Sequence, residues 1–274
     1  MYSSTFKKKE LKNKIDSWSS GDQYDKFMGR WSNLVAEKFL AWLNISPNSI
    51  WLDIGCGTGV LTKLVLETCH PQKIISIDSS NEFITHAKQS IAGPAVNFQV
   101  GDAESLNLET NSVDVIISGI MLNFVPHPDK AITEMLRVIK PGGTIGIFLW
   151  DYADGMKMLR YFWDAVVELN SKAKEFDEGL RFPLCREGQL EALVQKSGLK
   201  NVKAVPIEVK TIFNSFNDFW LPLLGNVGPA PSYVMGLEES ERQKLQSKLL
   251  STLPIEKDGK ISLMARAWAV KGEA

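Results

Sequence analysis

Residues 50 to 59 read Ile50-Trp51-Leu52-Asp53-Ile54-Gly55-Cys56-Gly57-Thr58-Gly59, an apolar run that ends in glycines at alternate positions. A short apolar run bounded by a turn signal marks a buried strand, and the glycines mark the turn. Beyond it Val60, Leu61, Leu64, Val65 and Leu66 recur at helical spacing. The segment therefore reads strand, glycine turn, helix, as a nucleotide-binding βα unit requires. Glycine suits that turn because the backbone, without a Cβ, approaches a ligand closely.

The glycine spacing narrows the ligand. A dinucleotide fingerprint is Gly-x-Gly-x-x-Gly, with the pyrophosphate on the helix N-terminus; here the glycines run Gly-x-Gly-x-Gly, with Asp53 two residues before the first. A carboxylate there repels a pyrophosphate and attracts an ammonium. An NAD-dependent oxidoreductase is therefore the weakest reading. A strand ending in Asp-x-Gly-x-Gly-x-Gly resembles the first motif of the class I S-adenosylmethionine (SAM) methyltransferases, whose ligand carries an amino acid and a sulfonium and no phosphate. The resemblance implies SAM as cofactor and places Asp53, Gly55, Cys56 and Gly57 around it.

Further stretches agree. Lys73-Ile74-Ile75-Ser76-Ile77-Asp78 is a β-branched strand ending in an acid, and in a Rossmann-like sheet such an acid takes the ribose hydroxyls. Asp78 is the expected ribose ligand, with Ser79 beside it. Read alone, Asp78 is equally a cap for the helix beginning near Asn81, a role that Ser79 or Ser80 can fill instead. Val96 to Val100 is another short strand, followed by Gly101-Asp102-Ala103-Glu104. This pattern also resembles the family, where the Asp reaches the adenine amino group and the next amide reaches the ring. A carboxylate accepts from an NH2 and an amide donates to a ring nitrogen, so the chemistry fits; a surface turn is the alternative reading. The resemblance assigns Asp102, Ala103 and Glu104 to the adenine end. After the fourth strand, Val113 to Ser118, it sets Ser118 and Gly119 near the methionine part. The aromatic stretch Tyr24 to Ser32 is similar to the N-terminal segment that folds over SAM in the small-molecule branch. That likeness puts Tyr24 and Trp31 at the cofactor, although core packing explains them as well.

Amino-directed nucleic-acid methyltransferases share an Asn-Pro-Pro-Tyr or similar segment directly after the fourth strand. Here Asn123 comes later and Phe124-Val125 follows, which counts against a nucleobase amine as acceptor. Ala131 to Ile139 has helical spacing and stops at Lys140-Pro141-Gly142-Gly143; Thr144 to Trp150 is then a strand buried on both faces. The repeated βα pattern predicts a parallel sheet with right-handed crossovers and a ligand at the carboxyl ends of its strands. Val202 to Phe213 and Ile261 to Val270 supply two more strands, the last antiparallel by family analogy. The expected fold is α/β: a Rossmann-like seven-stranded, mostly parallel sheet with helices on both faces and a helical cap from two insertions. The expected division is an N-terminal helical segment over the cofactor (1–45), a SAM-binding core (46–150), a cap insertion (151–184), the rest of the core (185–213 and 259–274) and a second cap insertion (214–258).

The 274 residues are 44% hydrophobic and 23% charged, ordinary for a globular protein. A net charge of -1 gives no general attraction to nucleic acid or an anionic membrane, and Lys7, Lys8, Lys9, Lys12 and Lys14 read as a solvated arm. The N-terminus lacks the apolar core of a signal peptide, and no run reaches about 18 apolar residues; a cytoplasmic protein without membrane insertion is expected. Cys56, Cys69 and Cys185 lack the paired spacing of a zinc site or a disulfide framework, so they read as reduced thiols and no metal is expected.

Methyl transfer from a sulfonium is an in-line displacement, and holding the acceptor in line while excluding water supplies much of the catalysis. A general base is then optional. Asp151, Tyr152 and His127 are the candidates for one. The aromatics Tyr152, Phe162, Trp163, Phe219 and Trp220 imply an enclosed apolar pocket for a small, partly apolar acceptor, of undetermined atom type. Methylation of a protein or RNA, which needs an open charged groove, and a SAM-binding module without catalysis are the alternatives.

Overall fold

A computed structural model describes residues 21–225 and 227–274; Lys7, Lys8, Lys9, Lys12 and Lys14 lie outside the described residues. Seven strands form one sheet: β1 (Ile50–Ile54), β2 (Lys73–Asp78), β3 (Val96–Val100), β4 (Val113–Gly119), β5 (Ile139–Trp150), β6 (Lys200–Phe213) and β7 (Ile261–Glu273). Their order is β3-β2-β1-β4-β5-β7-β6. β1 to β5 pair in parallel, and β7 runs antiparallel to both β5 and β6. The order reverses between β1 and β4, the place where an open α/β sheet leaves a crevice at its carboxyl ends.

The longer helices are α1 (Arg30–Leu43), α2 (Val60–Thr68), α3 (Asn81–Ser90), α4 (Pro128–Val138), α5 (Lys157–Leu169), α6 (Gln189–Lys196), α7 (Pro229–Met235) and α8 (Glu239–Thr252). Both faces of the sheet are covered, as parallel strands demand. Trp51 faces one core with Phe39, Phe148 and Trp150; its neighbour Leu52 faces the other, with Ile116, Met135 and Leu190. The Phe39 and Phe148 rings lie 4.9 Å apart and fix α1 on the first face.

One boundary differs from expectation. The stretch Lys140-Pro141-Gly142-Gly143 is not a free turn; β5 already begins at Ile139, which pairs with Val113 before the register shifts. The C-terminal residue explains this, since Gly142 donates its amide to the Ala274 carbonyl and Ala274 donates to Gly143, each at 3.0 Å. β7 accordingly runs to Glu273, beyond the expected Val270.

The pairing register also places the insertions. β5 ends with Trp150 opposite Ala267, whereas β6 and β7 stay paired as far as Phe213 opposite Ile261. This hairpin overhangs the carboxyl end of the sheet and carries the segment 214–258 to the crevice side. There Tyr233 of α7 packs against Trp163 of α5 (5.5 Å) and Phe176 (5.7 Å), joining the two insertions through aromatic rings. Among the described residues no helix is long and apolar enough to cross a membrane.

Candidate functional site

The glycine turn is pinned against β2, where Gly55 and Cys56 both donate their amides to the Ile77 carbonyl at 2.7 and 3.0 Å. Gly55 sits at φ +74°, and a Cβ on it would lie 2.4 Å from the Met121 side chain, so the chain has room for Met121 only with glycine there. Gly57, at φ +53°, would project a Cβ into open space, leaving its backbone accessible to a ligand. Together with Thr58 these glycines border a cavity at the carboxyl ends of β1, β2 and β4.

Asp53, the last polar residue of β1, is fully buried and lines this cavity. One carboxylate oxygen accepts from the Thr62 hydroxyl at 2.7 Å, and that hydroxyl also lies 2.8 Å from Ser76 Oγ. The other oxygen is buried without a partner. Burial pushes the Asp53 carboxyl up to about 7, against the opposing effect of the Thr62 hydrogen bond. An ammonium group at the free oxygen satisfies both the lone pairs and the charge.

Asp78 ends β2 in the same cavity. Its carboxylate accepts from the amides of Gly57 (2.9 Å) and Ser80 (2.8 Å), which hold it across the mouth of the glycine turn. Burial raises its pKa while these amides oppose the rise. Ser80 caps α3 by accepting from the Phe83 amide at 3.2 Å, so Asp78 is not the cap. A second cavity adjoins the first through Gly55, Asp78, Ser79, Met121 and Phe124, and it reaches Asp102 and Ala103. Asp102 accepts the Glu104 amide at 2.9 Å.

Of the remaining expected cofactor residues, Tyr24, Cys56, Ser79 and Gly119 line the first cavity. Tyr24 hydrogen bonds with Ser32 at 3.2 Å, and burial pushes its phenol up to about 12. Cys56 is likewise raised by burial, so it stays a thiol and packs as a small residue. Three residues are placed elsewhere. Trp31 packs edge-on against Phe213 at 5.3 Å, on the core side of α1. Glu104 accepts the His127 amide at 2.8 Å and lines neither cavity. The Ser118 hydroxyl donates to the Ile54 carbonyl at 2.9 Å, tying β4 to β1.

The candidate bases stand apart from the cavities. Asp151 is buried and paired with Arg266 (2.8 Å), which also reaches Asp154. Tyr152 packs near Phe182, with ring centroids 6.1 Å apart. His127 is exposed at the start of α4. What sequence reasoning missed is the apolar lining: Ala36, Leu61, Phe83, Ile120 and Phe148. Ile120, a β-branched residue at φ +70°, is a backbone outlier directly after β4, and no sequence signal marks it. Thr62 left a faint one, a lone hydroxyl on an otherwise apolar helix face.

Residues 52–147 match a family model described as a methyltransferase domain. Over 186 residues the chain is 27% identical to a malonyl-[acyl-carrier protein] O-methyltransferase of Methylococcus capsulatus, covering 65% of this chain and 67% of that one. It is 31% identical over 116 residues to a demethylmenaquinone methyltransferase of Lactobacillus johnsonii, covering 40% and 48%. The chain spans about half or less of the length of several curated relatives that it matches. Its fold is similar to that of phosphoethanolamine N-methyltransferase 2 from Haemonchus contortus, solved with phosphomonomethylethanolamine and S-adenosylhomocysteine: TM-score 0.57, 18% identity, covering 93% of this chain and 56% of that one. Residues 52–147 form a methyltransferase domain, for which the sequence motifs imply SAM as cofactor. The residues present fit that molecule. The orphaned oxygen of Asp53 suits its ammonium, Asp78 its ribose, and Asp102 with the Ala103 amide its adenine edge.

Proposed function

We propose that the chain transfers the methyl group of SAM to a small, partly apolar acceptor enclosed beside the cofactor. The observation that carries this reading is the character of the cavity beyond its polar end, where Ala36, Leu61, Ile120 and Phe148 form the wall and the hydroxyls of Tyr24 and Ser32 supply polar contacts. Small-molecule sites have this character: mostly apolar, with a few placed polar groups. SAM, when bound, supplies an electrophilic methyl on a sulfonium; the chain's own contribution is to orient acceptor and cofactor and to exclude water. Within this reading segment 1–45 covers the cofactor, 46–150 is the cofactor core completed by 185–213 and 259–274, and 151–184 with 214–258 form the cap. The aromatic contacts between α5 and α7 support that division. Three free cysteines support a reducing, cytoplasmic setting.

The test is transfer of labelled methyl from SAM in a fractionated cell extract. Label in the low-molecular-weight pool is the expected result and delivers the acceptor for identification by mass. Label confined to protein or RNA overturns the enclosed-pocket reading.

A further inference from the structure

The helix that ends in α1 contains a π-helical turn, Asp25–Gly29, between α-helical residues Gly21–Tyr24 and α1. Such turns are rare and are found frequently at functional sites. Here two consecutive residues reach the same crevice. Tyr24 lines the cofactor cavity and its ring lies 6.3 Å from Phe83 of α3. Asp25 accepts a hydrogen bond from the Thr58 hydroxyl of the glycine turn at 3.1 Å, and its second oxygen lies 3.9 Å from His86 Nε2, also on α3. Successive residues of an α-helix point about 100° apart, so a regular helix does not easily offer both to one site.

Gly29 completes the arrangement. A Cβ at this position would lie 2.7 Å from the Asp25 carboxylate oxygen that accepts from Thr58, so glycine is what allows the carboxylate to fold back along its own turn. The turn itself is closed by the Arg30 amide donating to the Asp25 carbonyl. The Asp25 side chain is 43% exposed, so burial of apolar surface does not account for its position. Polar contacts to the glycine turn and to α3 do.

We infer that Asp25 is a positioning residue: through Thr58 it latches the π-helical turn onto the glycine turn, holds Tyr24 across the cofactor, and sets the rate at which cofactor and product leave. The inference rests on the reading of this cavity as the SAM site. It goes further in giving the closing segment a specific fastening on residues that face the cofactor from two other elements. Loss of the fastening therefore acts on dissociation, since association needs the segment open in any case.

The experiment is release of S-adenosylhomocysteine from the full chain by stopped flow. Wild type is compared with Asp25→Ala, with Gly29→Ala, whose Cβ displaces the carboxylate without touching the cavity, and with Asp25→Asn, which keeps an oxygen acceptor. The latch predicts release about tenfold faster in Asp25→Ala and Gly29→Ala, the loss of one charge-assisted hydrogen bond. It also predicts release in Asp25→Asn between that of wild type and that of Asp25→Ala, since a neutral oxygen makes the weaker bond, and association rates within about twofold throughout. A purely structural role predicts the opposite for Gly29→Ala, because alanine in a helix stabilises it; the thermal midpoint of that variant should not fall while its release quickens. Wild-type release rates in both Asp25→Ala and Gly29→Ala overturn the latch alone. A wild-type chain that does not take S-adenosylhomocysteine overturns the cofactor reading and the latch together.

Discussion

Thr62 donates its hydroxyl to one carboxylate oxygen of Asp53 at 2.7 Å, and the other oxygen of Asp53, fully buried beside the cofactor cavity, has no partner. Burial lifts this carboxyl to about 7, so in the cofactor-free chain it is partly protonated near neutrality. An acid whose folded pKa is raised stabilises the fold at low pH and loses that contribution as pH rises from about 4 to about 7. Cofactor binding has the opposite sign, because an ammonium needs the carboxylate ionised. Affinity for S-adenosylhomocysteine should therefore fall by up to about tenfold per pH unit below about pH 7 and level off just above it. Calorimetric titrations of wild type and Asp53→Asn across this range check the assignment; the step should be absent from the variant.

A second buried acid lies in the segment 151–184. Glu178, at the start of a short helical turn, accepts from the Trp163 indole and is pushed by burial up to about 8. Beside it Asp177 accepts from the Arg160 guanidinium at 3.0 Å. The sign follows as for Asp53: stability is fully present below the unfolded pKa near 4.5 and is lost as pH rises through about 8. Glu178→Gln keeps an acceptor for Trp163 without the ionisation. The thermal midpoint of wild type should drop more than that of the variant between about pH 6 and pH 9; parallel pH profiles would show that Glu178 ionises without cost.

The start of α1 and the segment 214–258 are tied by one guanidinium. Arg30 donates to Asp218 at 2.8 Å and lies over the rings of Trp31 (4.3 Å) and Phe213 (4.8 Å). Both side chains are partly exposed, 30% and 26%, so the pair itself is worth about 1 kcal/mol rather than several. Stacking on the two rings adds a contribution that only Arg30 carries. Denaturant unfolding of Arg30→Gln, Asp218→Asn and the double variant should give a coupling near that figure, with Arg30→Gln the more damaging single change. Equal single effects and no coupling would remove the tie.

What was legible in the sequence was local. The strand, glycine turn and helix at 50–68, Asp78 at the end of β2 and Asp102 just past β3 depend on periodicity and turn chemistry within about ten residues. Trp31 shows why the rest was not: helical spacing says that it is buried, not that Phe213 rather than the cofactor receives it. Asp151 looked free for chemistry because its partner, Arg266, comes 115 residues later. Phe148 sits in a strand apolar on both faces, and no alternation tells which face meets the cavity. β5 starts early because of pairing with Ala274 at the far end of the chain.

Calorimetric titration with S-adenosylhomocysteine of wild type beside Asp78→Ala is the most direct test of one cavity holding SAM through the carboxylate at the end of β2. Asp78 is held ready by the amides of Gly57 and Ser80. Its loss should cost about 1 to 3 kcal/mol of binding, about 5- to 150-fold in affinity, with one molecule bound per wild-type chain. No binding by wild type, or an unchanged affinity in Asp78→Ala, would contradict it.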